Sequence, residues 1–317
     1  MPARTVRSKK GSRTARAERR HPVKTALRTA LAIALSGGVV SAMAPVPAAS
    51  AADSLRYVAL GDSYASAPLV PPADPAGPAC LRSLANYPRV AAAGLDATLT
   101  DVSCSGATVG DLRTAQHPGT APQYDALTPD TDIVSVTIGG NDSDLFGEAL
   151  RCVNVLPQPH GTSCAEENSA GGTDRIRARI DAWAPAFATV LDDIARRAPH
   201  AEIFVVGYGN YLRPDGCYPD QPYWKQDANH LQGAINHLSA VLKQTAEEHG
   251  AAFVDTYALG VGHDICAAPA DRYVEGVVPG RPAAPLHPNA SGARAIGNAL
   301  AEAVRGRHMA GAGQDRT

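Results

Sequence analysis

The sequence predicts an α/β fold in which helices cover both faces of a central parallel sheet of five strands. Short apolar runs of strand length alternate with longer segments of helical type along most of the chain, which is the order expected of a parallel sheet. Two of the apolar runs end in glycine followed by small polar residues, at residues 61–64 and 139–142. Open α/β folds place their chemistry at the carboxyl ends of such strands. No repeat and no linker divides residues 52–305, so we predict a single domain there.

The first half of this domain holds three predicted strands. Residues 56–60 form the first strand, which stops at a Gly-Asp-Ser turn. Residues 67–80 are dense in proline and predict an irregular loop, whereas residues 87–95 predict a short Ala-rich helix. Residues 97–103 alternate as the second strand, and residues 132–138, DIVSVTI, form the clearest strand of the chain.

The second half of the domain alternates between long helices and short strands. Residues 152–173 contain two cysteines and no sustained periodicity, which predicts a long loop closed by a disulfide. Apolar residues at helical spacing follow it. The remaining predicted elements are helix 174–197, strand 201–206, loop 215–225, helix 226–249, strand 251–255, an irregular stretch 256–288, helix 289–305 and a loose polar tail 306–317.

Charge is distributed unevenly along the chain. Residues 1–51 hold ten of the 29 basic residues and one of the 31 acidic residues. The rest of the chain therefore has 19 basic and 30 acidic residues, a formal charge of −11. This acidic body argues against nucleic acid or an anionic membrane surface as the main partner.

Residues 1–51 predict an export signal. A basic stretch leads into the apolar residues 29–44, and Ala-Ser-Ala at residues 49–51 fits the small-x-small pattern of a cleavage site. The apolar stretch is interrupted by Ser-Gly-Gly at residues 36–38 and is short for a membrane span. We therefore expect an exported protein without a stable membrane anchor, with a retained anchor as the alternative. The general and the twin-arginine export routes both stay open.

Four residues could form a site for ester hydrolysis, which needs a nucleophile, a base that takes its proton, and donors for the developing oxyanion. Ser63 is the candidate nucleophile, because its hydroxyl follows the turn after the first strand. The candidate oxyanion donors are the backbone N–H groups of Ser63 and Gly106 and the side-chain amide of Asn141. His287, which precedes the last helix, is the candidate base. Taken singly, each of them also fits an ordinary turn or loop position.

Taken together and in order, Gly-Asp-Ser at residues 61–63, Gly106, Gly-Gly-Asn-Asp at residues 139–142 and His287 resemble the sequence blocks of the SGNH, or GDSL, ester hydrolases. The resemblance covers nearly all of residues 55–305. It implies a three-layer α/β/α, flavodoxin-like fold with Ser63 as nucleophile and His287 as base. It also implies an oxyanion hole formed by Ser63, Gly106 and Asn141. Within the family, the chain is most similar to secreted actinomycete lipases and esterases with three disulfides.

The six cysteines lie beyond residue 51, in agreement with export and with a disulfide framework. Six cysteines allow fifteen pairings, and the absence of a CxxC pair from the sequence argues against a zinc site. Each cysteine has a neighbour across a loop-like stretch. We therefore predict the pairs Cys80–Cys104, Cys152–Cys164 and Cys217–Cys266.

One stretch departs from the family pattern. The last family block usually reads Asp-x-x-His, and here it reads Ala284-Pro285-Leu286-His287. Proline has no N–H, so carbonyl groups in this stretch are expected to be free. We predict that the backbone carbonyl of Ala284 accepts the Nδ1 proton of His287. A carboxylate from farther away, Asp255 or Asp264, stays open as the alternative.

The sequence thus predicts a secreted bacterial serine ester hydrolase, a lipase or esterase, that cleaves short- to medium-chain acyl esters. We expect a monomer that acts on a small ester or lipid through an acyl-Ser63 intermediate, with no metal and no organic cofactor. The loops 67–80, 152–173 and 215–225 are predicted to wall a groove beside Ser63. The apolar residues predicted for that wall are Leu69, Val70, Val155 and Leu156. The alternatives are a carbohydrate or polymer deacetylase that uses the same site and a non-catalytic exported binding protein.

Overall fold

All strands of the computed structural model lie in one parallel sheet. The structure describes residues 54–314, with side chains up to residue 309, so the predicted export signal lies outside the described residues. The strands are β1 (Arg56–Gly61), β2 (Thr98–Asp101), β3 (Ile133–Thr137), β4 (Glu202–Val206) and β5 (Ala252–Val254). They are ordered β2-β1-β3-β4-β5, and every neighbouring pair is parallel. The predicted five-stranded parallel sheet is therefore confirmed.

The strand order reverses direction at β1. The chain passes from β1 to β2 on one side and then crosses to β3 on the other side of β1. Gly61, at the end of β1, is in register with Thr137, at the end of β3. The loops after β1 and β3 therefore leave the same edge of the sheet and diverge, and open α/β folds bind their ligands in this kind of crevice.

Helices cover both faces of the sheet. They are α1 (Ser63–Ser66), α2 (Tyr87–Leu95), α3 (Leu145–Arg151), α4 (Cys164–Ser169), α5 (Arg175–Arg197), α6 (Lys225–Glu248) and α7 (Ala290–Gln314). Helix α2 packs against α7, and α5 packs against α6. Tyr87 of α2 is hydrogen-bonded to Thr137 of β3, whose side chain therefore points to the α2 face. Because side chains alternate along a strand, Val136 points to the opposite face, and all five residues of β3 are buried. The three-layer α/β/α arrangement is the predicted one.

The helices differ from the prediction in several places, and α3 was not predicted at all. The last helix runs to Gln314, nine residues beyond the predicted end at Arg305 and into the segment predicted as a loose tail. Residues 306–314 contain no proline, and adding residues to a helix that has already formed costs little. The loop 152–173 contains the short helix α4, whose first turn is capped by the Ser163 side chain accepting from the N–H of Glu166.

The three disulfides are the predicted pairs, Cys80–Cys104, Cys152–Cys164 and Cys217–Cys266. The first joins the Pro-rich segment after α1 to the loop after β2. The second closes the loop between α3 and α4, and the third joins the loop before α6 to the irregular stretch after β5. Among the described residues, no helix is both long and apolar enough to cross a membrane.

Candidate active site

The turn that carries Ser63 depends on the glycine before it. Gly61 has a φ of +142°, and a Cβ at this position would lie 2.5 Å from the carbonyl oxygen of Thr137 on β3. Only glycine therefore allows β1 to end so close to β3. Asp62 then caps α1 by accepting a 2.9 Å hydrogen bond from the N–H of Tyr64. Within the described residues, the N–H of Ser63 has no acceptor, as is usual for the first residue of a helix.

The imidazole of His287 contacts the hydroxyl of Ser63. Its Nε2 lies 2.7 Å from the Oγ of Ser63, and its Nδ1 lies 2.7 Å from the carbonyl oxygen of Pro285. A carbonyl oxygen only accepts hydrogen bonds, so Nδ1 carries the proton of the neutral ring and Nε2 accepts from Ser63. Burial lowers the pKa of His287, and the hydrogen bond to Pro285 opposes this shift more weakly. The ring is therefore held neutral and in the tautomer of a general base.

The prediction that Ala284 orients His287 was wrong by one residue. The carbonyl of Ala284 accepts the backbone N–H of His287 at 3.2 Å and closes a turn. Leu286, inside this turn, has a φ of +60° in the left-handed region. The main chain thus occupies the Ala284 carbonyl, and the carbonyl of Pro285 is the one that Nδ1 reaches.

Neither distant aspartate contacts His287. Asp264 is buried and forms a 3.0 Å ion pair with Arg213, and it accepts the N–H of Cys266 at 2.8 Å. Asp255 accepts the N–H of Tyr257 at 2.8 Å. Both carboxylates therefore satisfy local groups, and a backbone carbonyl is the partner of the imidazole.

The candidate oxyanion donors lie on the three segments that follow β1, β2 and β3. The Nδ2 of Asn141 donates to the carbonyl of Ala107 at 2.8 Å, which leaves its second N–H available. Asn141 lines the same cavity as Ser63 and His287, whereas Gly106 is not part of the wall of that cavity. Gly106 has a φ of +82°, and within the described residues its N–H has no acceptor.

Asp62 and Tyr208 form a hydrogen-bonded link below the serine that the sequence analysis missed. The hydroxyl of Tyr208 donates to the carboxylate of Asp62 and accepts the N–H of Gly140 at 3.0 Å. Burial raises the pKa of Asp62 to about 7, against the opposing effect of its hydrogen bonds from Tyr208 and Tyr64. The sequence did contain a signal, because Tyr208 lies between two glycines just after a strand. A single Gly-Tyr-Gly pattern does not predict which residue the tyrosine contacts.

A cavity opens beside Ser63 and His287 and, with the solvent at its mouth, spans about 700 Å³. Its wall is mainly apolar and aromatic and comes from α3, α6 and the segments around residues 208–212, 223, 265 and 286. The apolar side chains of this wall are Tyr64, Leu145, Phe146, Ala149, Tyr208, Tyr211, Leu212, Tyr223, Leu231, Ile235, Ile265 and Leu286. The ring of Phe146 lies 5.6 Å from the His287 ring, centroid to centroid, and is 40% exposed. Phe146 therefore stands where the cavity opens to solvent.

The predicted apolar wall was wrong in its residues. Leu69, Val155 and Leu156 are 61%, 76% and 56% exposed and do not line the cavity. Val70 is buried, but it packs in a separate small cluster with Ala67 and Ala283. The cavity wall comes instead from regular helices and from the ends of loops, whose inward-facing side chains could not be selected from sequence without knowing how the loops fold back.

Among the described residues, no group of three or more His, Cys, Asp or Glu is placed to hold a metal ion. The candidate residues that the structure brings together at one cavity are Ser63, Asn141 and His287.

Comparison with known proteins gives one family and several relatives. The GDSL-like Lipase/Acylhydrolase family matches residues 59–295. Lipase 2 of Streptomyces coelicolor is 40% identical over 267 residues, which cover 82% of this chain and 89% of the relative. The crystal structure of an extracellular lipase from Streptomyces rimosus superposes with a TM-score of 0.66 at 28% identity, covering 79% of this chain and 99% of that one. A phospholipase A1 from Streptomyces albidoflavus gives a TM-score of 0.65 at 26% identity with the same coverage of 79% and 99%.

Proposed function

The chain belongs to the GDSL-like lipase/acylhydrolase family and is a carboxylic ester hydrolase, and from this premise we propose that it is a secreted bacterial lipase or esterase. In this proposal, it cleaves short- to medium-chain acyl esters through an acyl-Ser63 intermediate. The observation that carries the proposal is the 2.7 Å contact between the Oγ of Ser63 and the Nε2 of His287, beside an apolar cavity.

Acylation begins with the proton of Ser63. The Nε2 of His287 takes this proton while Oγ attacks the ester carbonyl carbon. The proton on Nδ1 stays hydrogen-bonded to the carbonyl oxygen of Pro285, so a dipole and not a full charge stabilises the imidazolium that forms. His287 then gives the proton to the departing alcohol oxygen, and the acyl group remains on Ser63. In deacylation, His287 takes a proton from a water molecule, which attacks the carbonyl carbon of the acyl-enzyme. The proton then returns to the Oγ of Ser63 as the acid leaves.

The negative charge of the tetrahedral intermediate needs hydrogen-bond donors that are already in place. The N–H groups of Ser63 and Gly106 have no acceptor within the described residues, and Asn141 keeps one N–H of its amide available. We assign these three groups to the oxyanion. Ser63 and Asn141 are assigned because they also line the cavity. Gly106, which does not line it, is assigned because its N–H has no acceptor within the described residues.

The apolar cavity supports an acyl chain longer than acetyl. Each methylene group that packs against such a wall contributes about 0.8 kcal/mol, and twelve apolar or aromatic side chains line it. An acetyl group would leave most of this wall uncovered, so the geometry favours a lipase or esterase over a deacetylase. The relatives named as lipases and as a phospholipase A1 support esters of lipids as the substrate class.

Several features support export of the enzyme, which we propose to be a monomer. Three disulfides are typical of proteins that fold in an oxidising compartment, and residues 1–51 have the pattern of an export signal. The proposed mature enzyme is a single hydrolase domain that begins near residue 52. Without residues 1–51, the chain has a formal charge of −11, which disfavours binding to anionic surfaces.

The test is hydrolysis of p-nitrophenyl acetate, butyrate, octanoate and palmitate by the purified protein, with Ser63→Ala as control. We expect the highest kcat/KM with butyrate or octanoate, an unchanged rate in EDTA, and loss of activity in Ser63→Ala. Rapid acid quenching with the octanoate ester should trap a peptide acylated at Ser63. Activity that persists in Ser63→Ala, or that EDTA removes and added metal restores, would overturn the proposal.

A further inference from the structure

The hydroxyl of Tyr208 joins two turns that leave different strands. Tyr208 follows β4, and it is almost fully buried below the site. Its hydroxyl donates to the carboxylate of Asp62 and accepts the backbone N–H of Gly140 at 3.0 Å. A phenol can make both bonds at once because its oxygen is a donor and an acceptor.

Each of these bonds reaches the residue just before a group that the proposed reaction uses. Asp62 precedes Ser63 and caps the helix that presents it, through a 2.9 Å bond from the N–H of Tyr64. Gly140 precedes Asn141, whose amide is one of the assigned oxyanion donors. Within the described residues, Tyr208 is the only side chain hydrogen-bonded to both the 61–64 turn and the 139–142 turn.

The turn that carries Asn141 has few other links to the nucleophile. Its other main-chain bonds are internal: Ser143 donates to the carbonyl of Gly139 at 3.0 Å, Asp144 to that of Asn141 at 3.0 Å and Leu145 to that of Gly140 at 2.9 Å. The side chain of Asn141 is bonded to the loop after β2, at the carbonyl of Ala107. That loop is in turn bonded to the end of β1, where the N–H of Cys104 donates to the carbonyl of Gly61 at 2.9 Å. Among the described residues, these links to the Ser63 turn are indirect, whereas Tyr208 bonds to both turns itself.

From this arrangement we propose that Tyr208 is a positioning residue for ester hydrolysis, which holds the amide of Asn141 at a fixed place relative to the Oγ of Ser63. The inference rests on the proposed function, because it concerns the oxyanion donor of that reaction. It adds a residue with no direct part in proton transfer or attack. Misplacement of a reacting or stabilising group by about 1 Å can cost roughly 100-fold in rate.

Two other buried tyrosines provide matched controls. The hydroxyl of Tyr57 lies 2.6 Å from the Oγ of Ser135, and that of Tyr87 lies 2.9 Å from the Oγ1 of Thr137. Both are buried and both bond to side chains within β3, so replacing either by phenylalanine also deletes one buried hydrogen bond. Neither bond reaches a turn of the active site.

The first experiment compares Tyr208→Phe with Tyr57→Phe on p-nitrophenyl butyrate. We expect Tyr208→Phe to lower kcat roughly 10- to 100-fold with little change in KM, and Tyr57→Phe to leave both unchanged. Equal effects of the two variants, or a Tyr208→Phe change confined to KM, would reject the positioning role. The inactive Ser63→Ala variant separates this outcome from failure of the proposed function, since that failure leaves Ser63→Ala active.

The second experiment asks whether Tyr208 acts through Asn141. If it does, Tyr208→Phe should cost less than about threefold in kcat when Asn141 is already alanine, because the donor to be positioned is gone. Multiplication of the two single effects in the double variant would contradict the proposal. Circular dichroism and melting curves of each variant show whether it is folded.

Asp62→Asn covers the case in which Tyr208→Phe fails to fold. Asparagine has nearly the volume of aspartate and can still accept the N–H of Tyr64, but it lacks the second carboxylate oxygen that accepts from Tyr208. We expect kcat to fall with KM nearly constant, and the loss again to shrink in Asn141→Ala. Wild-type kcat in Asp62→Asn, or an undiminished loss in the double variant, would overturn the inference.

Discussion

The two partners of the proposed catalytic pair are held by different kinds of structure. Ser63 lies on the turn that follows β1, and this turn packs against the end of β3. The hydrogen bond between the carboxylate of Asp62 and the hydroxyl of Tyr208 holds the turn in place. His287 stands on irregular chain, in a turn closed by main-chain hydrogen bonds, and its own carbonyl accepts the N–H of Glu275 at 3.0 Å. The sheet edge fixes the nucleophile and the loops bring the base to it.

Each member of the pair has a buried carboxylate nearby that supports its own segment of the chain. Asp62 lies below the serine and supports its turn. Glu275, fully buried beside the histidine loop, accepts from the amide of Asn289 at 2.6 Å and from the N–H of Gly280 at 2.8 Å. It therefore stabilises the loop and leaves the imidazole to the Pro285 carbonyl. A site of this kind can have acidic residues close by without forming a Ser-His-Asp triad.

The largest expected effect tests the histidine side directly. His287→Ala should lower kcat roughly 10⁴- to 10⁶-fold, as loss of the base does in serine hydrolases. Asp255→Asn and Asp264→Asn should leave kcat unchanged, although the second removes the partner of Arg213 and should lower the melting temperature. Steady-state kinetics with the butyrate ester measures all three. If either asparagine variant loses roughly 10⁴-fold in kcat while it stays folded, the dyad is wrong.

A smaller effect is expected from the cavity wall, to which helices α3 and α6 contribute. Leu231 of α6 is 2% exposed and lines the cavity. Leu231→Phe narrows the cavity, so the preference for octanoate over acetate should fall roughly tenfold, the size expected for a few methylene groups in an apolar pocket. The measurement is the ratio of kcat/KM for the two esters.

The matched control for this prediction is Val155→Phe. The sequence placed Val155 in the apolar wall, but it is 76% exposed and lies outside the cavity. Its substitution should leave the ratio unchanged. A change in Val155→Phe equal to that in Leu231→Phe would mean that acyl chains bind on the outer loop and not in the cavity.

The smallest expected effect is a shift in pH dependence. The neutral form of His287 is the active base, so kcat/KM should fall as pH decreases through its pKa in the free enzyme. Burial lowers this pKa below the ordinary value of 6.5, and among the described residues no carboxylate is hydrogen-bonded to the ring to raise it. The acid limb of the pH–rate profile should therefore have its midpoint below pH 6.5.

Asp62 must be separated from this titration, because burial raises its pKa to about 7. The groups nearest its carboxylate are Tyr208 after β4, Tyr64 on α1 and Asp142 after β3. The limb that persists in Asp62→Asn belongs to His287. A midpoint at or above pH 6.5 in that variant would show that a charged partner stabilises the imidazolium.

The sheet and the blocks at its edge could be predicted because local sequence determines them. The apolar run before Ser63 and the run before Asn141 are strands buried on both faces, and such strands read as continuous apolar segments. The disulfide pairs could be predicted because each joins cysteines that are consecutive along the chain, although Cys80–Cys104 and Cys217–Cys266 each enclose a helix and a strand.

The partner of the His287 Nδ1 and the residues of the cavity wall depend on the three-dimensional path of loops, so they could not be predicted in the same way. Which of two adjacent carbonyls meets Nδ1 depends on the left-handed conformation of Leu286, and no residue type in the stretch demands it. The cavity wall likewise depends on how α3 and α6 face each other. The link between Asp62 and Tyr208 joins residues 146 positions apart, and no local pattern pairs them.

The carbonyl of Pro285 has a consequence for how such a site changes through mutation. An orienting aspartate is encoded at one position, and a single base change can remove it. A backbone carbonyl is present in all twenty amino acids, so a substitution at residue 285 alters the side chain and leaves the orienting oxygen wherever the turn persists. The partner of His287 is thus inherited with the shape of the loop, and a drift of the neighbouring side chains would leave the dyad intact for as long as that shape is kept.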